Sequence, residues 1–487
     1  MKTPNNQLQL ACLTDHTIDE IMERHVMIVT SPREEPDPEN GYLEKLSDED
    51  RGKRFPIWMP AFKVVEEGRP APRKSVLYPK YVFLLHVFIS TCRSRHYGEA
   101  RFNHDKLREI LGKHYDDMLT TLHLMHIIYV FNDYIPGKQS RNISLEDWSI
   151  GYKACKNEKV MEYLAEYDKH LKKIEKDKQV KIDEQVGKCF VRQYNKCLAQ
   201  LELIRKDEAF AYANNKVFNS PQSEHFYKAC LENFKQGSCR ITSVDYRGRI
   251  YHYLTNCPSE LRRFFNIKYS LDIRNSQPLL FCDFLIKHYN IDYKIIKYLR
   301  EISDDIIVND GNIIYYDGKQ LKKFLKARWL CGDLLRGMPD DVLSYIYACL
   351  HGYFWDSFVT TFHELDRGEV KETLFAEVFY SHTRTMHKKK FGKVFAMVYP
   401  SVWQLIRELK KDAEQLCDRI TKVESKLFHR ILERCFENGW VVTSIHDEVV
   451  ILNVPENVSL NVDDVRTIIL DEYRKHGLLP TVNLKSY

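Results

Sequence analysis

The polar triplet His446-Asp447-Glu448 interrupts a run of apolar β-formers, with Val441, Val442 and Ile445 before it and Val449, Val450, Ile451 and Leu452 after it. Two buried strands meeting at a tight turn, with a carboxylate held at the tip, account for this pattern. A carboxylate beside a packed sheet is costly unless something compensates its charge, and a divalent metal ion is the natural compensator. Asp447 and Glu448 are therefore candidate metal ligands. A second carboxylate has a comparable position. The segment Ile267 to Ile273 alternates with period two, so Ile267, Tyr269, Leu271 and Ile273 share one face and Lys268, Ser270 and Asp272 the other. Asp272 ends this strand, and Asn275 or Ser276 is expected to cap the following helix, with Pro278 in its first turn. Two carboxylates and a triphosphate make a usual Mg²⁺ site, because the ion takes few protein ligands and fills its octahedron with phosphate oxygens and water. A pair of ions about 3.5–4 Å apart, Mg²⁺ or alternatively Mn²⁺, would activate an attacking oxygen and stabilise a leaving one.

Cations and aromatic rings are also patterned. Arg367, Lys371, Phe375 and Phe379 recur at four-residue spacing, a slowly winding helical stripe with cations at one end and rings at the other. On such a face the cations hold phosphates while a ring stacks against a base. Within Ser243 to His252, a strand and turn, Arg247 and Arg249 bracket Gly248. Lys388, Lys389 and Lys390 form a basic cluster ahead of Phe395 to Trp403 and, with Arg247, Arg249 and His446, are candidate nucleic-acid contacts. A helix with Leu416, Ile420, Val423, Leu427 and Ile431 follows and stops at Asn438-Gly439. Asp310-Gly311 marks a hairpin turn.

These elements need a large frame. At 487 residues, 44% hydrophobic and 29% charged, the chain is globular and long enough for two or three domains. No apolar run suits a bilayer and the N-terminus lacks a signal-peptide core, so no membrane partner is expected. The 13 cysteines include no Cys-x-x-Cys pair, which fits reduced thiols in a cytoplasm. A net charge of +5 permits a nucleic-acid partner without demonstrating one. Residues 1–77 read as an irregular segment, with a proline-broken loop at Ser31 to Glu39. Asp37 and Glu39 have exonuclease-like spacing but sit between prolines, off any strand, and are set aside. Residues 78–150 suggest three helices and a hairpin, a winged-helix-like module. Its helices are Tyr81–Ile89, Asp105–Leu111 capped by Asn103, and one carrying Met118, Leu119, Leu122 and Met125. Its third helix and its wing tip, Pro136-Gly137-Lys138, would face a phosphate backbone. Residues 151–236 read as a charged helical, thumb-like region, and 237–487 carry the chemistry.

The ordered set resembles the palm and fingers of the DNA polymerase I family (family A) and the related single-subunit phage RNA polymerases. Asp272 sits where that superfamily's motif A keeps its first metal-binding aspartate. His446-Asp447-Glu448 looks like motif C, with Asp447 the second ligand, and Arg367 to Phe379 is similar to the motif B fingers helix. The resemblance implies an α+β right hand, with Lys371 on the triphosphate, Arg367 assisting, and Phe379, or Tyr380 under a one-residue shift, as the stacking residue. Gln277 takes the place of the glutamate by which the DNA enzymes exclude a ribose 2′-hydroxyl. Asp245-Tyr-Arg-Gly-Arg249 looks like an element with which the RNA enzymes contact template, and Phe395 to Val402 is similar to a segment after motif B in the DNA enzymes. The likeness covers about residues 237–487, five weak motifs made specific by their order. The N-terminal half matches neither group's accessory domains, and the compact size would suit a phage or other mobile element in a bacterial cytoplasm. The expected activity is templated nucleotidyl transfer to a 3′-hydroxyl, from nucleoside triphosphates onto a DNA primer-template, with RNA as the alternative nucleic acid. The alternatives are a single-subunit RNA polymerase or primase-like enzyme, and a non-catalytic nucleic-acid-binding protein with a palm-like fold. Retention of both aspartates with Lys371 argues against the last.

Overall fold

A computed structural model describes residues 28–30, 58–60, 62–64, 78–93, 99–124, 127–131, 142–146, 152–154, 158–302, 307–310, 313–316, 337–359, 366–381, 388–411 and 415–487. It is a mixed helix and sheet structure with small antiparallel sheets, and its chain divides into two compact units. One comprises residues 1–178 and 207–234, the other 179–206 and 235–487. The helical stretch expected over 151–236 is thus shared between them. The loop at Ser31 to Glu39, Met125 and the tip at Pro136 to Lys138 lie outside the described residues.

In the first unit, helix α1 (Tyr78–Arg93) precedes strand β1 (Glu99–Arg101), helices α2 (His104–Leu111) and α3 (Tyr115–Leu124), and a hairpin of β2 (Ile128–Val130) and β3 (Asn142–Leu145). The three strands form one antiparallel sheet in the order β1-β3-β2. The apolar positions expected on these helices are its core: Phe83, Phe88, Leu107, Leu111, Met118 and Leu122 are all buried. Asn103 caps α2 by accepting the Lys106 N–H, and Gly112 follows the helix at φ 73°, a conformation that costs glycine little. Strand β1 is three residues long, too short to reveal an alternation, and was not expected. Helix α3 contains no lysine or arginine, and its exposed Asp116 pairs with Arg108 at 2.9 Å. A phosphate-facing third helix lacks cations in this sequence. The long helix α4 (Glu158–Val186) adds Val160 and Tyr167 to this core.

The second unit is built on a four-stranded antiparallel sheet. Its strands are β6 (Ile267–Ile273), β7 (Val442–Ile445), β8 (Glu448–Leu452) and β9 (Val482–Ser486), in the order β7-β8-β6-β9. Helix α5 (Lys188–Leu198) covers the β7 edge, and the two-stranded hairpin of β4 (Ser243–Val244) and β5 (Ile250–Tyr251) precedes β6 in the chain. The apolar runs around the polar triplet become β7 and β8, fully buried as their continuous hydrophobicity requires. The strict alternation expected along β6 is broken. The register slips between Ile267 and Tyr269, and Ser270 is completely buried because its hydroxyl donates to the Glu448 carboxylate. Strands Ile307–Asp310 and Ile313–Tyr316 pair antiparallel, and Gly311 of the turn expected between them lies outside the described residues.

Side chains close the open edge of β7. The Ser444 N–H donates to the Tyr194 hydroxyl at 3.1 Å, and its carbonyl lies 2.7 Å from His252 Nε2. Complete burial pushes the His252 imidazole down to about 4, so the ring stays neutral and suits this apolar surround. At the far end of the hairpin Asn457, 1% exposed, accepts the Val441 N–H and donates to the carbonyls of Val441 and Leu452. Asn457→Ala leaves the Val441 N–H and the Leu452 carbonyl without this partner in the interior, while the Val441 carbonyl keeps the Leu452 N–H, and is expected to destabilise the protein by about 2–4 kcal/mol in a urea melt. An unchanged midpoint would remove the clamp from this account.

Candidate active site

Strand β6 and the β7–β8 turn deliver the two predicted aspartates to one place. The Ile273 N–H donates to the Asp447 carbonyl at 3.2 Å, tying the strand end to the turn. His446 takes the left-handed conformation, φ 57°, that lets the chain reverse so sharply. Both aspartates and His446 line a cavity of about 370 Å³. Burial pushes the Asp447 carboxyl up to about 7, and the charges of Glu424 and then Asp272 push it the same way against the pull of Lys371. Glu448 stands directly across β6 from Asp272 but does not line the cavity. Its carboxylate is held by Ser270, by Lys485 at 3.5 Å and by Arg262 at 3.8 Å.

Helix α8, preceded in this unit by α6 (Ser276–His288) and α7 (Asp340–His351), also lines this cavity. Helix α8 (Arg367–Leu374) starts at a capping box in which Asp366 and Glu369 satisfy each other's backbone N–H groups. It runs into a π-helical turn, Phe375–Phe379, where the Tyr380 N–H donates to the Phe375 carbonyl at 2.8 Å. A π turn holds one residue more than an α turn, so the stripe of Arg367, Lys371 and Phe375 continues at Tyr380. Four-residue spacing to Phe379 assumes a regular helix and fails here. Phe379 is 3% exposed, with its ring among Phe281, Phe375 and Phe395, and does not line the cavity. Tyr380 does, and its hydroxyl donates to Gln277 Oε1 at 3.3 Å. Arg367 lines the cavity while its Nε pairs with Asp356 at 2.8 Å.

The expected nucleic-acid contacts divide. In the β4–β5 turn the Asp245 carboxylate accepts the N–H groups of Arg247 and Arg249, each at 2.9 Å, across Gly248 at φ 89°. Arg249 reaches the cavity, whereas Arg247 is outside it, paired with Asp418 at 2.9 Å. Lys388, Lys389 and Lys390 are exposed at the start of helix α9 (Lys390–Val398) and do not line the cavity. Neither capping expectation at the end of β6 is met by a side chain. Asn275 sits at the N-cap position, left-handed at φ 55°, without a cap bond, and the Ser276 hydroxyl donates instead to Glu424 Oε1 at 2.7 Å.

Glu424 is the residue that sequence reasoning missed. Helix α10 (Pro400–Leu409) precedes α11 (Leu416–Glu437), on which Glu424 is 2% exposed, lines the cavity and pairs with Arg249 at 2.5 Å. A signal was present: Glu424 lies four residues after Ile420 and three before Leu427, on the apolar stripe. Val423, expected on that stripe, is only half-buried.

Among the described residues no three His, Cys, Asp or Glu side chains stand close enough to hold a metal together. Three carboxylates line the polar cavity, and with Glu424 answered by Arg249 and Ser276, Asp272 and the destabilised Asp447 nonetheless fit Mg²⁺, which needs only one or two protein carboxylates when phosphates and water complete its shell. No helix of the described residues is long and apolar enough to cross a membrane.

No protein-family model matches the chain, and no curated protein does. Among solved structures it is similar to the polymerase domain of Pol1 from M. smegmatis in complex with DNA primer-template and dNTP. The identity is 9%, over 82% of this chain and 81% of that one, with a TM-score of 0.23, too low to establish a shared fold.

Proposed function

We propose that this chain is a template-directed nucleic-acid polymerase that transfers a nucleotide to a 3′-hydroxyl, with DNA as the favoured product. One observation carries this reading. A single cavity gathers Asp272, Asp447, Lys371, Arg249, Gln277 and Tyr380, which come from four separate stretches of the sequence. Carboxylates, cations and a ring gathered around one cavity are what a bound nucleoside triphosphate requires. Mg²⁺ held by Asp272 and Asp447 would supply Lewis-acid stabilisation of the charge on the reacting phosphate. The protein's own part is to bind and orient. Lys371 and Arg367 neutralise the triphosphate, so that the strand's hydroxyl bonds to the α-phosphorus in line with departing pyrophosphate. Tyr380 and Phe375 offer ring faces to the base, and Gln277 borders the sugar. In the first unit the winged-helix-like order of elements remains a candidate for nucleic-acid or partner binding, with contacts other than the faces of α3. A primer-extension assay with DNA and RNA templates and each nucleotide set tests the reading. Extension dependent on Mg²⁺ and on a template supports it, and none with any combination would return the chain to the non-catalytic binding proteins.

A second reading, an RNA polymerase, draws on Tyr380, because a cavity-facing hydroxyl can receive a ribose. That hydroxyl is engaged with Gln277, however, and together the two side chains make a bulky wall. A preference for deoxynucleotides is therefore expected. It is expected to be weaker than a glutamate would impose, because the Gln277 amide can also donate to a hydroxyl. Gln277→Gly should relax the preference, and Tyr380→Phe should lower it by roughly two- to tenfold, the worth of one hydrogen bond. Kinetics with matched dNTP and rNTP pairs measure both. A wild-type preference for ribonucleotides would overturn the assignment of Gln277 and favour the second reading.

A further inference from the structure

The outer flank of Asp272 is already held by a cation of this chain. Strand β9 pairs with β6 so that Lys485 lies opposite Ser270 and Asn483 opposite Asp272. On the other side β8 sets Glu448 opposite Asp272. Residues paired across strands, and residues two apart along one, share a face, so these side chains crowd one face of the sheet. Lys485 Nζ lies 3.3 Å from Asp272 Oδ2 and 3.5 Å from Glu448 Oε1. Its side chain is 49% exposed, and neither it nor Glu448 lines the cavity that Asp272 faces. Glu448 is pinned independently of the lysine by Ser270 and Arg262.

We propose that Lys485 is a built-in competitor of the divalent metal. Its ammonium occupies the outer oxygen of Asp272, so the protein without nucleotide takes up one divalent ion at the carboxylates facing the cavity. A second ion is admitted only when the lysine withdraws. Glu448, shared between Ser270, Arg262 and Lys485, is then a positioning residue that keeps the ammonium beside Asp272, not a ligand itself. Lysine suits the task, since a half-exposed ammonium on a four-carbon stem can swing into water at little cost. This inference rests on Asp272 and Asp447 being the metal carboxylates.

The test is a Mn²⁺ titration of the intact chain without nucleotide, with the free ion followed by electron paramagnetic resonance. The wild type is expected to bind one ion, and Asp272→Asn to lose it. Lys485→Met is expected either to bind a second ion or to hold the first about tenfold more tightly, the scale of a removed like-charge repulsion at this range. Lys485→Arg, which keeps the charge, should stay close to the wild type. Lys485→Gln removes the charge with less apolar surface and replaces the methionine variant if thermal melting shows that protein to be unfolded. Unchanged stoichiometry and affinity in a folded, charge-free variant would overturn the proposal. Wild-type binding that ignores Asp272→Asn and Asp447→Asn would instead overturn the metal reading of the cavity.

Discussion

Asp272→Asn and Asp447→Asn are each expected to reduce nucleotide incorporation by about 10³-fold or more, while binding to duplex DNA should stay within about twofold. The first figure corresponds to about 4 kcal/mol of lost transition-state stabilisation, the scale of one electrostatic element in a phosphoryl-transfer site. Asparagine preserves the shape of each side chain and removes the charge. The strand end and the turn that carry the two residues are held by backbone bonds, chiefly from the Ile273 N–H to the Asp447 carbonyl, and survive the change. Duplex affinity depends on phosphate-facing cations elsewhere and is affected little. Single-turnover incorporation and a filter-binding titration, both in Mg²⁺, measure the two quantities. Near wild-type incorporation by either variant would sink the polymerase reading. Loss of both incorporation and binding would point to unfolding and be settled by a melt.

The same Asp447→Asn change is expected to stabilise the metal-free protein above about pH 4, increasingly up to about pH 7 and fully at neutral and alkaline pH. Burial, reinforced by Glu424 and Asp272, raises the Asp447 carboxyl from an ordinary 3.8 to about 7. A folded-state value above the unfolded one means that the folded chain prefers the proton. The contribution of Asp447 to stability is complete below about pH 4 and is lost as pH rises through about 7. Raising a carboxyl from 3.8 to about 7 corresponds to at most on the order of 4 kcal/mol. Asparagine is neutral throughout and escapes the loss. In a chelator, the variant's urea midpoint should exceed that of the wild type at pH 8, and the gap should close as pH falls to 4. Mg²⁺ should narrow the gap at pH 8 by stabilising the wild type alone. A gap independent of pH would show that Asp447 carries no destabilised charge.

The two expectations together describe a residue kept at a cost to the fold. A buried carboxylate crowded by two others is a poor structural choice, and such perturbed groups gather where chemistry is done. Glu424 carries part of that crowding, yet its own charge is answered locally by Arg249 and Ser276. Asp447 has the pull of Lys371 and a weaker one from Arg249, which burial and the two neighbouring carboxylates outweigh.

Much of the site was legible along the chain because it depends on local pattern. Continuous apolar runs broken by His446-Asp447-Glu448 determined a buried hairpin with an aspartate at its turn, and the β-rich run to Ile273 determined a strand with Asp272 one residue from its end. Capping and turn chemistry determined where α2 and α11 stop, since a helix end is set by a few adjacent residues. Three features were decided only by tertiary structure. Which of Phe379 and Tyr380 faces the cavity depends on a π turn, a local register change that packing against Phe281 and Phe395 selects and that spacing alone cannot show. Glu424 became part of the site because α11 packs beside α6, which brings the carboxylate to Ser276 and Arg249, residues more than 140 positions away in sequence. Glu448, adjacent to Asp447 in the triplet, was turned from the cavity by strand alternation and claimed by Ser270, Arg262 and Lys485. Sequence determines what lies along one strand or one turn of helix. Which charges finally meet is decided by the strand order and helix packing that bring distant segments together.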